Sequence, residues 1–324
     1  MSPDEPLGRV DFMSRLDTLD ENQIVDRLRK ILPSGGTSVI RGIGDDCAVV
    51  RIAGDSSRDL LLTSDPVVEG RHFLRDTPPE QIGHKAIGRV LSDLAAMGGE
   101  PLWALIDLVA PIDRSIESME GIYRGVAETA GRYGLAVVGG DVTAGPILEL
   151  HVFAVGSVPT GTALLRSGAQ EGDRICVTGA LGGSRAGRQF SFTPRLREGC
   201  FLREGHWVTA MMDLTDGLAA DLPRLVAASR VCAEIELDRI PIHSDTRLTD
   251  RPPLRQAMED GEDFELLFTV PVDRMEALRQ AWPGGGRCDF TPIGRIVAGS
   301  SEIWGVTADG RRQKMGIGGF DHFR

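Results

Sequence analysis

The sequence predicts an α/β (α+β) protein of two domains, on three observations. Segments of strand-like and helix-like periodicity alternate through both halves of the chain. Glycine supplies 40 of the 324 residues while aromatics make up only 5%, which suits many tight turns better than a large sandwich or a coiled coil. With 41% hydrophobic residues, a chain of this length buries substantial apolar surface and is longer than most single domains.

The elements follow in order. Ile24, Val25, Leu28 and Ile31 recur at helical spacing and predict a helix over 21–31, broken by Pro33, Gly35 and Gly36. Two short β-like runs follow at 47–52 and 60–63. Ile82, Ala86, Ile87, Val90, Leu91 and Leu94 form the apolar side of a helix over 80–97 that Gly98 and Gly99 stop. A strand is predicted at 103–108 and a helix at 116–133. The unbroken apolar run 135–138 reads as a buried strand, and a further strand at 147–158 ends at Pro159. A domain boundary is placed there, giving an N-terminal domain 1–159 and a C-terminal domain 160–324. In the second half a strand at 174–178 feeds a glycine turn at Gly179, Gly182 and Gly183; a helix spans 218–229, a strand 264–270 and a helix 272–282.

Charge and cysteine usage exclude several function classes. A net charge of −11 without a Lys/Arg cluster argues against nucleic acid, because neutralising a phosphate backbone needs clustered cations. No stretch is long and apolar enough to span a bilayer, and the first residues, with Asp4, Glu5 and Arg9, lack the apolar core of a leader, so a soluble, unprocessed chain is expected. The cysteines Cys47, Cys176, Cys200, Cys232 and Cys288 are odd in number and hold no CxxC pair, which fits a reducing, cytoplasmic compartment. Cys47 reads as a small buried hydrophobe rather than a nucleophile.

The informative pattern is acidic. Asp45 and Asp46 follow Gly42 and Gly44, Asp65 follows the 60–64 run, Asp141 follows Gly139 and Gly140, and Asp213 and Asp216 precede Gly217. Any one of them is accounted for as a turn aspartate; their repetition beside predicted strand ends points to a site on an exposed rim. Asp93 lies near the negative end of its helix dipole, where a carboxylate is disfavoured by up to about 1 kcal/mol. Ion pairs with Lys85 and Arg89, one and two turns earlier, and a bound cation explain it equally well. Clustered carboxylates repel one another unless a cation intervenes, and an oxygen-only set suits Mg²⁺, whereas zinc calls for closely spaced His and Cys that are absent. No GxxxxGK[ST] loop, protein-kinase signature or GxGxxG turn is present, and the glycine turn after 178, which could bring backbone N–H groups to a phosphate, reads first as a structural bend.

Seven blocks spread over nearly the whole chain resemble the thiamine-monophosphate kinase family: GIGDDCA at 42–48, TSD at 63–65 with EGRHF at 69–73, LSDLAAMG at 91–98, GGD at 139–141, LRSGA at 165–169, DLTDGL at 213–218 and GEDFEL at 261–266, with GFDHF at 319–323 resembling the family's ending. The resemblance implies the two-domain fold of the aminoimidazole-ribonucleotide synthetase superfamily, with the N-terminal sheet forming a homodimer and a C-terminal α/β domain completing the site. It implies that Asp46, Thr63, Ser64, Asp65, Asp93, Asp141, Asp213 and Asp216 hold several Mg²⁺ ions, with Asp65, Asp93, Asp141 and Asp216 catalytic. ATP, the co-substrate, would be contacted by Tyr133, Gly140, Asp141, Arg166 and by Thr215 in place of a serine. His72, Glu262 and Phe320 would face thiamine monophosphate. The activity implied is ATP-dependent phosphorylation of thiamine monophosphate to thiamine diphosphate. Val90, Val142, Ala144, Ile317 and a shortened 187–207 segment depart from the family pattern, chiefly on the acceptor side. A superfamily relative acting on another phosphorylated heterocycle, and a catalytically silent nucleotide- or metal-binding protein, are the other readings.

Overall fold

The computed structural model describes residues 21–32, 36–54, 57–283 and 288–315, which fall into two units, 21–32 and the remainder. The first holds α1 (Glu21–Arg29), which ends two residues short of the predicted helix in a turn where the Ile31 amide donates to the Leu28 carbonyl.

The larger unit contains two sheets. The first comprises β1 (Val39–Arg41), β2 (Ala48–Val50), β3 (Arg58–Val68), β4 (Glu100–Ala110), β5 (Ala136–Ala144) and β6 (Glu149–Pro159), in the order β1-β2-β3-β6-β4-β5. Its pairings are antiparallel except β4 with β5. Alternate residues of the central strands, Leu61 and Thr63, Ile106 and Leu108, Val152 and Ala154, are buried. They face α2 (Pro79–Ala96) and α3 (Ile116–Tyr133) in one core. Gly98, at φ 68°, terminates α2 as predicted, and α3 spans the residues expected of it, from Ser115 as N-cap to Gly134 at φ 72°.

The second sheet comprises β7 (Arg174–Thr178), β8 (Ala210–Asp213), β9 (Cys232–Glu236), β10 (Leu266–Val270), β11 (Phe290–Val297), β12 (Ile303–Val306) and β13 (Arg312–Lys314), ordered β13-β12-β9-β11-β7-β10-β8. Both its faces are covered. Cys176, Met211, Leu266 and Phe268 join the first core, while Ile175, Val177, Met212 and Leu267 join a second core with Leu222, Leu225 and Val226 of α5 (Leu218–Ser229). This is why β10 is buried at every position and reads as a continuous apolar run. The remaining helices are α4 (Leu196–Glu204), α6 (Pro253–Glu259) and α7 (Met275–Ala281).

Three sequence expectations change. The 135–138 run was expected to be a buried strand, but β5 lies at the sheet edge and all nine of its residues are exposed. β3 runs on through Ser64, Asp65 and Pro66, so Asp65 is inside a strand rather than beyond one. Pro66 is tolerated because β2 pairs only as far as Leu62's partner Ala48, leaving that side of β3 free. Asp141 is likewise inside β5.

Helices α2 and α3 approach so closely that a Cβ on Gly83 would lie 2.0 Å from the Ile122 carbonyl oxygen, and one on Gly125 2.0 Å from that of Glu80. Gly125→Ala is therefore expected to force the helices apart and cost about 1–3 kcal/mol or more. Thermal denaturation should show a drop in Tm of several degrees, whereas alanine at Gly131, whose Cβ would meet nothing within 4 Å, should leave Tm nearly unchanged.

Candidate active site

Asp46 lies in the turn leading into β2, Asp93 on the last turn of α2 and Asp213 at the end of β8; one carboxylate oxygen from each lies within 4.8 Å of the others. Elements of both sheets thus converge on one point. Each carboxylate is held from behind: Ser92 Oγ donates to Asp213 at 2.5 Å, the Thr63 hydroxyl donates to Asp93, and Arg166 clamps Asp46 through Nη2 at 2.7 Å and Nε at 3.3 Å. The Arg166 amide also donates to Asp45, 3.1 Å away, whose own pKa is raised by burial and by Asp46.

Burial, followed by the charge of Asp65, Asp213 and Asp46, pushes the Asp93 carboxyl well above the ordinary range. Burial, followed by Asp46, does the same to Asp213. Of the triad, only Asp46 has a cation within bonding distance among the described residues. A hard divalent cation with oxygen ligands satisfies this set, being small, doubly charged and at home among carboxylates. The same carboxylates surround Cys47, which is 2% exposed with its thiol pKa pushed up by burial, so it stays an inert thiol.

A second acidic group follows β8. Asp221, in the first turn of α5, accepts the amides of Thr215 and Asp216 at 2.9 Å each, and Arg224 bridges Asp216 and Asp221 at 2.5 and 2.6 Å. Burial and Asp216 push Asp221 up to about 7, against the opposing pull of Arg224. Asp221 and Arg224 escape a sequence reading because i, i+3 pairs are ordinary helix furniture.

A third group walls the other side of α2. Lys85, fully buried, donates to Glu262 at 2.7 Å, to the His72 carbonyl at 2.5 Å and to Gln189. Arg89 bonds Asp65 at 2.9 Å and reaches Glu262 at 3.4 Å. The ion-pair explanation offered for Asp93 therefore does not hold in its simple form: both helix cations turn to other carboxylates, and among the described residues Asp93 keeps only the Thr63 hydroxyl. His72 is buried, its Nδ1 accepting the Val68 amide at 3.0 Å. The turn bearing Glu262 is left-handed at Gly261 (φ 70°), Glu262 (φ 53°) and Phe264 (φ 51°), and its Glu262 amide is tied to the Thr215 carbonyl at 2.6 Å. Lys85, Arg89 and Gln189 are additions to the predicted site.

Not every predicted residue gathers here. Asp65, Val152, Ile106 and Gly140 share one register row, so β5 lies three strand spacings, roughly 14 Å, from Asp65. Asp141, exposed and paired in register with Asp107, is separate from the triad. Gly140 has φ 148°, and a Cβ there would lie 1.9 Å from the Ile106 carbonyl oxygen, so the strand itself demands glycine. Ser64 is exposed on β3, and Tyr133 is half-buried at the end of α3. Phe320, Ile317 and the 319–323 block lie outside the described residues. The glycine turn after β7 resolves as structural: the amides of Gly179, Leu181 and Gly182 go to the carbonyls of Asp289 and Pro241 and to the Asp263 carboxylate. Beside it a cavity of about 470 Å³ is lined by Arg188, Arg195, Glu265 and His243, but both arginines are already paired with Glu265.

Two α/β domains meeting at a buried acidic centre define the class. Residues 44–158 match the family model of the AIR synthase related protein N-terminal domain, and residues 182–305 that of the C-terminal domain. Among curated relatives, thiamine-monophosphate kinase of Rhodopirellula baltica is 36% identical, covering 87% of this chain and 90% of that protein. The Salmonella typhimurium enzyme of the same name is also 36% identical, over 92% and 95%. Among solved structures, AaThiL complexed with AMPPCP and TMP superposes with a TM-score of 0.81 at 33% identity, covering 96% of this chain and 99% of that one. The chain belongs to the thiamine-monophosphate kinase family.

Because burial favours the protonated form of Asp93 and Asp213, which bound metal must displace, Mg²⁺ binding is expected to release protons and to tighten as pH rises above the ordinary carboxylate range of about 4. Calorimetry in two buffers of different ionisation enthalpy checks this; equal heats would count against it. Without metal the sign for stability is opposite. The folded carboxyls keep protons that the unfolded chain loses near pH 4, so stability falls as pH rises above about 4.

Proposed function

We propose that this chain is a cytoplasmic, Mg²⁺-dependent kinase that transfers the γ-phosphoryl group of ATP to the phosphate of thiamine monophosphate, giving thiamine diphosphate and ADP in thiamine diphosphate biosynthesis. The observation that carries the metal-dependent part is the triad of Asp46, Asp93 and Asp213, with Asp46 and Asp213 buried and Asp93 half-buried, drawn together from both sheets; family membership carries the substrate. No helix among the described residues is long and apolar enough to cross a membrane, and all five cysteines are free, which supports a reducing compartment.

In this reading Asp46, Thr63, Ser64, Asp65, Asp93, Asp141, Asp213 and Asp216 hold the metal ions, in a catalytic unit divided at 159/160. Bound Mg²⁺ supplies charge neutralisation for phosphates that would otherwise repel one another and the site. The chain's own work is to fix that arrangement. Ser92 and Thr63 hold Asp213 and Asp93 at their oxygens, and Arg166 holds Asp46 while presenting a guanidinium to nucleotide phosphate. In the same reading Thr215, Gly140, Asp141 and Tyr133 contact ATP. His72 and Glu262, with Phe320, face the acceptor. The acceptor phosphate has a second ionisation near roughly 6, so it arrives largely deprotonated and needs no general base.

The open face of the first sheet supports a homodimer. Trp103 and Leu105 of β4 and Phe153 of β6 are exposed on neighbouring strands, and the edge strand β5 beside them exposes Val138 to 61%. An apolar surface of this kind usually marks an interface. Val138→Glu is expected to convert a dimer to monomer in light scattering; an unchanged mass would place the interface elsewhere.

Incubation with ATP, Mg²⁺ and thiamine monophosphate should yield thiamine diphosphate. Asp93→Asn and Asp65→Asn are each expected to lower turnover by at least about 100-fold without loss of fold, since each removes a charge and little volume. ADP formed only with another phosphorylated acceptor would overturn the substrate assignment, and nucleotide binding without turnover would overturn the kinase.

A further inference from the structure

Helix α2 carries Lys85 and Arg89 one turn apart, and both approach Glu262, but the two cations are not equally committed. The Lys85 ammonium has three protons and three acceptors: Glu262, the His72 carbonyl and Gln189. It is spent. Arg89 is only 8% exposed, yet it has one firm bond, to Asp65 at 2.9 Å, and one long contact, to Glu262 at 3.4 Å. Its Nε–H has no acceptor among the described residues. A guanidinium offers five donors in a planar fork, so this one is buried with capacity to spare.

Its surroundings fix it in place without using that capacity. The guanidinium carbon lies 5.9 Å from the centroid of the Phe264 ring, and Phe264 is itself stacked on Phe192 at 4.0 Å. Glu262 does not depend on Arg89, because Lys85 holds the same oxygen more closely. The other arginine at this centre, Arg166, already makes a two-point clamp on Asp46.

We infer that Arg89 is the residue that grips the phosphate of the acceptor, exchanging its long contact with Glu262 for phosphate oxygens, while Lys85 is the positioning residue that keeps Glu262 in place during the exchange. The inference rests on the kinase reading above and extends it to two residues it leaves without a role. Phosphate monoesters suit a guanidinium because two parallel N–H donors match two oxygens, a geometry that an ammonium does not reproduce. Arg89 also bonds Asp65, so the residue that reads the acceptor is linked directly to the metal-side carboxylates.

The test separates recognition of the phosphate from general damage to the site. Calorimetric titrations with thiamine monophosphate and with unphosphorylated thiamine are compared for the wild-type protein, Arg89→Gln and Arg89→Lys. Arg89→Gln is expected to weaken thiamine monophosphate by about 10- to 100-fold, the range for a hydrogen bond to a charged group, and to leave thiamine within about twofold. Arg89→Lys should recover only part of the loss. In turnover, KM for thiamine monophosphate should rise while KM for ATP stays within about twofold. Equal weakening of both ligands, or of neither, overturns the inference while leaving the kinase reading intact. A wild-type protein that binds neither ligand overturns the acceptor assignment itself and this inference with it. Thermal denaturation reports whether each variant folds; if Arg89→Gln does not, Arg89→Lys carries the same comparison.

Discussion

The structure depends on the burial of α2. The helix packs against β3 and β6 of the first sheet, against α3 and α4, and against β8 of the second sheet, so it has almost no solvent side. A helix in that position is normally apolar all round. This one instead carries Lys85, Arg89, Ser92 and Asp93 through the interior, and each must find a partner or a ligand because an unpaired charge in such a place costs several kcal/mol. Glu262, Asp65, Asp213 and Thr63 meet that demand from three different segments, Thr63 and Asp65 both lying on β3. The site is therefore what the burial of a polar helix requires, and the two sheets are held in register by its polar partners as well as by the shared core.

Much of this was legible in the sequence where the signal was local. The spacing of Ile82, Ala86, Val90 and Leu94 gave α2, and the 116–133 segment gave α3. Of the aspartates singled out in the sequence, Asp46, Asp93 and Asp213 come together in one cluster. The second half was harder. β9 is five residues long, β11 is interrupted by Pro292 and Gly294 where its register shifts, and β13 is an edge strand of Arg, Gln and Lys with no apolar alternation. Such strands are specified by their neighbours rather than by their own composition.

Pairing partners were illegible for the same reason. Sequence places Lys85 and Arg89 on one helical face with Asp93 and makes them natural ion-pair partners. Only the fold brings Glu262, more than a hundred and seventy positions away from Arg89, into competition for them. Side chains choose among all the groups that folding delivers, and a carboxylate from a distant segment outbids one in the same helix when it sits at better distance. That Asp93 and Asp213 have hydroxyl partners but no paired cation among the described residues is likewise a product of tertiary placement, since neither is unusual in its local sequence.

Gly140 illustrates how a motif can mislead in the opposite direction. Its place in a GGD block invites a reading in terms of nucleotide contact, yet crowding against the Ile106 carbonyl already forbids any side chain there. Loss of nucleotide affinity on replacing it would reflect a displaced strand as readily as a missing contact. Scanning mutagenesis across this block would thus report scaffolding rather than chemistry at Gly140.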